Sequence, residues 1–162
     1  MLTQMSIRNF ALIEQMNISF KDGITIFTGE TGAGKSILMD AFSILLGERA
    51  SSEFIRHGKD SFVIDGIFDI ANHQSLLDLL QSKNILVEDN QLILSRSFNT
   101  SGKSIILAND QPIPLKALKE IGLLLADIHG QYSNQKLLNP DSHHEYLDGY
   151  NQAGSKAYKE YK

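Results

Sequence analysis

Eight consecutive residues, Gly29-Glu30-Thr31-Gly32-Ala33-Gly34-Lys35-Ser36, constrain this chain more than any other stretch. They match the phosphate-loop pattern G-x-x-x-x-G-K-[ST] at every fixed position, and what flanks them gives the match its weight. Before the loop, an Asp22-Gly23 turn signal leads into Ile24 to Thr28, a short β-branched apolar run of the kind that forms buried strands. After it, Ile37, Leu38, Ala41, Ile44 and Leu45 recur with helical spacing, and Gly47 stops the helix. Strand, glycine loop and helix therefore follow one another in the order a polyphosphate cradle needs. Gly29, Gly32 and Gly34 let the backbone approach phosphate oxygens, and Glu30, Thr31 and Ala33 add N–H groups from the same main chain. Gly34, Lys35 and Ser36 open the helix, where unsatisfied N–H groups and the positive dipole end favour an anion. Lys35 is expected to reach the β and γ phosphates and the Ser36 hydroxyl to ligate a metal, so the expected cofactors are ATP and Mg²⁺. A second Gly102-Lys103-Ser104 has Ser97 in place of the first glycine and runs into Ile105, Ile106 and Leu107, which marks it as a hairpin tip.

The remaining pattern is that of an α/β domain. Leu2 to Asn9 and Ile13 to Phe20 read as strands. Ser61 to Ile70 alternates, with Phe62, Ile64, Gly66 and Phe68 on one face. A short helix is expected around Ser75 to Gln81, then a hairpin with arms Gln91 to Phe98 and Lys103 to Ala108 and a turn at Asn109-Asp110. Leu115 to Leu124 has helical spacing, and Leu125 to His129 reads as a strand ending at Gly130. Beyond it Leu147, Tyr150, Gly154, Ala157 and Tyr161 follow the 3,4 spacing of a coiled-coil seam, which an ordinary surface helix also allows. The pattern is still running at Lys162, as at a boundary within a longer chain.

At 162 residues and 42% apolar content the chain suits one compact domain with a core. Its apolar runs are too short to cross a bilayer, so no membrane partner is expected, and the cytoplasm is the expected compartment. Without cysteine there is neither a disulfide framework nor a thiolate metal site. The adjacent His143 and His144 point about 100° apart on a helix and make a poor chelate. A net charge of -4 argues against a broad DNA-binding face within this segment.

Hydrolysis needs a group to orient water and a carboxylate to complete the metal shell. Leu123-Leu124-Leu125-Ala126-Asp127 has the form of a metal-binding strand end, which would put Asp127 on the metal in a self-contained phosphotransferase. If the strand instead continues to His129, Gln131 takes the role, its amide oxygen on Mg²⁺ and its NH₂ on the attacking water. The chemistry leaves both open, and a binding-only, ATP-responsive interaction domain is a third reading.

Longer stretches resemble a known family. Ile7 to Glu14, Thr28 to Ile37 with its Glu30-Thr31, Leu46 to Ala50, Ile55 to Gly58 and Asp127-Ile128-His129-Gly130-Gln131 closely resemble the RecN family of SMC-like ABC ATPases. The resemblance implies a head assembled from the two ends of one long chain, with a coiled-coil arm between them. It makes residues 1–140 the N-terminal part of an ABC/SMC-type head, a P-loop NTPase fold with a mixed sheet and β-hairpins, and residues 141–162 the start of the arm. It assigns Gln131 to the glutamine loop, in preference to Asp127, and puts Asn9 among the nucleotide-binding residues. The implied catalytic residues are thus Lys35 and Gln131, with Ser36 and Gln131 on the metal. The implied partners are the C-terminal half of the same head, a second head across sandwiched ATP, and DNA through the full-length protein near the nucleoid. Signature motif, metal-binding aspartate and catalytic glutamate do not occur here, so little turnover is expected of the chain alone. Ser97 to Lys103 keeps little of the arginine-rich turn of relatives. Arg49 and Arg56 can face phosphate or DNA, or stand solvated beside a helix end.

Overall fold

The computed structural model describes residues 1–28 and 33–128. Its compact unit is Met1–Asp127; of the second unit, Ile128–Lys162, the described part is Ile128. The elements of the first unit are β1 (Leu2–Phe10), β2 (Ile13–Ser19), α1 (Ala33–Leu45), a 3-10 turn (Ser52–Phe54), β3 (Ser61–Asp69), α2 (Gln74–Ser82), β4 (Gln91–Asn99), β5 (Ser104–Ala108), β6 (Gln111–Pro112) and α3 (Leu115–Leu125).

Six strands form one sheet in the order β2-β1-β3-β4-β5-β6, and every pairing is antiparallel. Short loops explain this: Ala11-Leu12 joins β1 to β2, and Thr100 to Lys103 joins β4 to β5, lengths that reverse a strand rather than cross over a helix. Alternation along β3 buries Phe62, Ile64 and Phe68, and β4 buries Leu92, Leu94 and Arg96 on the same face. The register aligns Ile7 with Ile64, Ile64 with Arg96 and Arg96 with Ile106, so one core-facing row crosses four strands. Three of its members are apolar. The fourth is an arginine only 2% exposed.

Helix α1 covers this face. Its apolar side buries Ala41, Ile44 and Leu45, and a Cβ at Gly66 of β3 would stand 2.5 Å from Leu45 Cδ2. α3 buries Ala117, Leu118 and Ile121 and meets α2, which buries Leu76 and Leu80. Phe62 connects two aromatic neighbours, edge-on to Phe10 at 5.1 Å and stacked with Phe98 at 6.0 Å.

Three expectations are corrected by the fold. Ile24 to Thr28 forms no strand: Ile24 is 93% and Ile26 78% exposed, and none of the six strands pairs with the segment. An apolar run becomes a strand only where neighbours complete its backbone hydrogen bonds, and the described residues supply none. Without that strand the described sheet is antiparallel throughout rather than mixed. Leu125 closes α3, and Ala126 to Ile128 lie outside any strand, because a short apolar run fits helix and strand equally until packing decides. His129 and Gly130, the helical tail with its seam, and the His143-His144 pair lie outside the described residues.

Candidate functional site

The phosphate-loop motif ends in the first turn of α1. Ala33 begins the helix, and Gly34, Lys35 and Ser36 follow, all exposed. A Cβ added at Gly34 would meet none of the described residues within 4 Å. The first turn carries no acidic residue that would repel an anion from the positive end of the helix dipole. A helix start, an ammonium group and a hydroxyl on one turn fit a polyphosphate with its divalent cation. Gly29, Glu30, Thr31 and Gly32 lie outside the described residues, as does Gln131.

Along its length α1 changes character. From Gly34 to Asp40 every residue is exposed or half-buried, whereas the helix end is enclosed. The end is a closed cap: Glu48 N–H bonds the Ser43 carbonyl at 2.9 Å and Gly47 N–H the Ile44 carbonyl at 3.1 Å, with Gly47 at φ 113°. This double bond pattern around a left-handed glycine satisfies carbonyls that the helix leaves over. Arg96 adds a second cap from the sheet. Its Nη1 donates to the carbonyls of Ile44 and Glu48, each at 2.5 Å. Burial lowers the Arg96 pKa from its ordinary value and nearby Glu48 raises it, but a guanidinium remains charged at any physiological pH. On the other side α3 comes so close that a Cβ at Gly122 would lie 2.1 Å from the Leu46 carbonyl oxygen. The residue-type pattern held a sign of Arg96 that motif reading passes over: it occupies an inward position of the alternation Leu92, Leu94, Arg96, Phe98.

The other expected residues are scattered. Asn9, half-buried near the end of β1, has a left-handed backbone, φ 55°, and its carbonyl accepts the Arg56 N–H at 2.9 Å. Arg56 is drawn to the β1–β2 hairpin, donating from Nη1 to the Leu12 carbonyl at 2.6 Å, with Glu14 at 3.8 Å. Arg49 is exposed and borders an open recess with Arg96, Phe98 and Leu115. Asp127 follows the end of α3, exposed, so the strand end that would have offered it to a metal is not formed. Among the described residues no group of three or more His, Cys, Asp or Glu could hold a metal, and no helix is long and apolar enough to cross a membrane.

Comparison with known proteins places this geometry. Residues 4–153 match the family model of the AAA domain. The chain is 44% identical over 148 residues to the DNA repair protein RecN of Bacillus subtilis, covering 91% of this chain and 26% of that protein. It is 38% identical to the RecN of Vibrio cholerae, over 93% of the chain and 27% of the relative. The chain therefore spans about a quarter of the length of these curated relatives. In fold it resembles the SMC head domain from Thermotoga maritima, with a TM-score of 0.61 at 19% identity over 91% of this chain and 56% of that one. It also resembles the recombination mediator RecF bound to a nucleotide analogue, with a TM-score of 0.57 at 17% identity over 91% of this chain and 37% of that one. With its first helix opening on a phosphate-loop motif and residues 4–153 matching the family model, the chain belongs to the AAA-domain family, and in sequence it is similar to RecN proteins.

Proposed function

We propose that this chain is the ATP-binding part of an SMC-like ATPase head that acts in the repair of DNA double-strand breaks and in recombination. The observation that carries it is the exposure of Gly34, Lys35 and Ser36 in the first turn of α1, where they complete a full phosphate-loop motif. In this reading the loop N–H groups and the α1 dipole hold the phosphates, Lys35 neutralises the charge that grows on them, and Ser36 Oγ faces the metal. A Mg²⁺ ion held by Ser36 would supply Lewis-acid polarisation of the phosphoryl oxygens. Gln131 orients the attacking water, and Asn9 belongs with the nucleotide-binding residues. Residues 141–162 begin a coiled-coil arm.

Turnover is a property of the longer protein. RecN relatives about three and a half times as long, and SMC ATPases described for ATP-driven dimerisation and DNA-stimulated activation, support a cycle in which ATP closes two heads and hydrolysis parts them. The C-terminal half of the same head, a second head and DNA are the proposed partners, in the bacterial cytoplasm beside the nucleoid. Helical structure up to Leu125 removes the strand end on which the phosphotransferase reading of Asp127 relied.

Lys35→Ala in the intact protein tests the reading. Its side chain is exposed, so the melting temperature should stay unchanged while Mg-ATP affinity falls by about tenfold or more, the loss of a charge-assisted contact. Undiminished affinity in a folded Lys35→Ala protein would exclude this site.

A further inference from the structure

We infer that Arg96 is a positioning residue for the nucleotide site, acting through α1 from the end opposite the phosphate loop; the nucleotide part of this inference rests on the function proposed above. α1 is supported unevenly. Among the described residues, all its fully buried side chains, Ala41, Ile44 and Leu45, lie in its C-terminal half. The half that carries Gly34, Lys35 and Ser36 projects with exposed or half-buried side chains. Among the described residues, the seat at the C-terminal end is therefore what fixes the direction of the helix.

That seat has apolar and polar parts. Apolar contacts are non-directional and let a helix rock. Hydrogen bonds to two carbonyls from one buried nitrogen fix an angle, and Arg96 Nη1 makes two such bonds, to Ile44 on the last turn and to Glu48 just past the cap. Arg96 is held in turn by β4, paired on both sides with Ile64 and Ile106. The planar, permanently charged guanidinium also complements the negative end of the helix dipole. At about 1.5 Å per residue the helix is a lever of roughly 20 Å, so a tilt of about 3° at the seat moves the first turn by roughly 1 Å. A misplacement of about 1 Å can cost on the order of a hundredfold at a reacting centre.

A local structural role would look different from outside. Loss of a core anchor alone lowers stability everywhere, whereas loss of an angular clamp loosens α1 selectively and weakens phosphate binding at its far end. The test uses Arg96→Met, which keeps the bulk and removes the donors, and Arg96→Lys, which restores a charged donor. Two readouts on the intact protein are required: Mg-ATP affinity, and hydrogen exchange at Ile37, Leu38 and Met39, the first residues with amides bonded inside α1. Arg96→Met should bind Mg-ATP about tenfold more weakly and exchange faster at these three amides while β1 and β3 keep their protection; Arg96→Lys should recover to within about threefold of wild type. If Arg96→Met does not fold, Arg96→Lys alone decides, with about threefold weaker binding and faster α1 exchange expected. Wild-type affinity and wild-type α1 exchange in a folded variant overturn the inference. Uniformly faster exchange across α1, β1 and β3 overturns it too, because that is the mark of general destabilisation. The exchange readout needs no nucleotide, so it judges the clamp even where Lys35→Ala shows that ATP does not use this loop; a normal clamp assay with a failed Lys35→Ala control condemns the nucleotide reading alone.

Discussion

Gly122 shows how closely single side chains govern this fold. It sits in α3 where the Leu46 carbonyl arrives, and a methyl group there would overlap the oxygen, with 2.1 Å between them. Helix and helix must then separate, and the α1 seat opens. Gly122→Ala is therefore expected to destabilise the protein by about 3 kcal/mol, the upper range for overpacking, seen as a lower urea midpoint at constant slope. A midpoint equal to wild type would mean that α1 and α3 do not approach as described. Gly29, Gly32 and Gly34 were visible in the sequence as a pattern because their spacing is a motif. Gly122 was not, because its demand comes from a residue 76 positions earlier in the chain and has no local signature. Arg96 stands between the two: its inward place in an apolar alternation was visible, but its partners, Ile44 and Glu48, were not.

Helices α2 and α3 illustrate how elements are tied by charge as well as by apolar contact. Lys83, the residue capping α2, bonds Glu120 of α3 at 2.5 Å, with the two side chains 26% and 38% exposed. The bond to Lys83 holds the Glu120 carboxyl below its ordinary value. A carboxylate with a lowered folded-state pKa stabilises the fold above its unfolded-state value and loses that contribution as pH falls through the folded one. Wild type should thus exceed Glu120→Gln slightly in stability at neutral pH, and the two should converge in acid below the usual carboxylate range. Urea midpoints measured across that range check this, and a difference that persists in strong acid would refute it. Solvent screening at this exposure keeps the effect small. The elements themselves were mostly legible. β3 and β4 follow period two and α1 and α2 follow period 3.6, so each matches its sequence pattern within a residue or two. β6 was not, since its two residues, Gln111 and Pro112, are strand only by pairing with β5.

Seen as a complete body, the described unit is a finished two-layer domain with one unfinished margin. Ile24, Ile26 and Phe27 lead to the phosphate loop with 93%, 78% and 45% of their surface exposed. Such a run costs stability in water and gains it once strands close around it. In the proposed head the missing half supplies those neighbours. Ile26→Ser should then change the stability of residues 1–162 by no more than about 0.5 kcal/mol, but that of the intact protein by about 2–4 kcal/mol. Urea melts of both proteins decide it, and equally small effects in the two would mean that this segment stays outside the core.

The local signals of this chain, hydrophobic period and turn residues, sufficed for the hairpins and for helix α1. They sufficed because each depends on neighbours within a few positions, where backbone sterics and periodicity act. The pairing order of the strands and the burial of Arg96 under α1 came from contacts between distant segments, and Ile24 to Thr28 forms no strand because the described residues supply no such contacts. A strand or a buried charge exists only when its hydrogen-bond partners arrive from elsewhere in the chain, and that arrival is a property of the folded body.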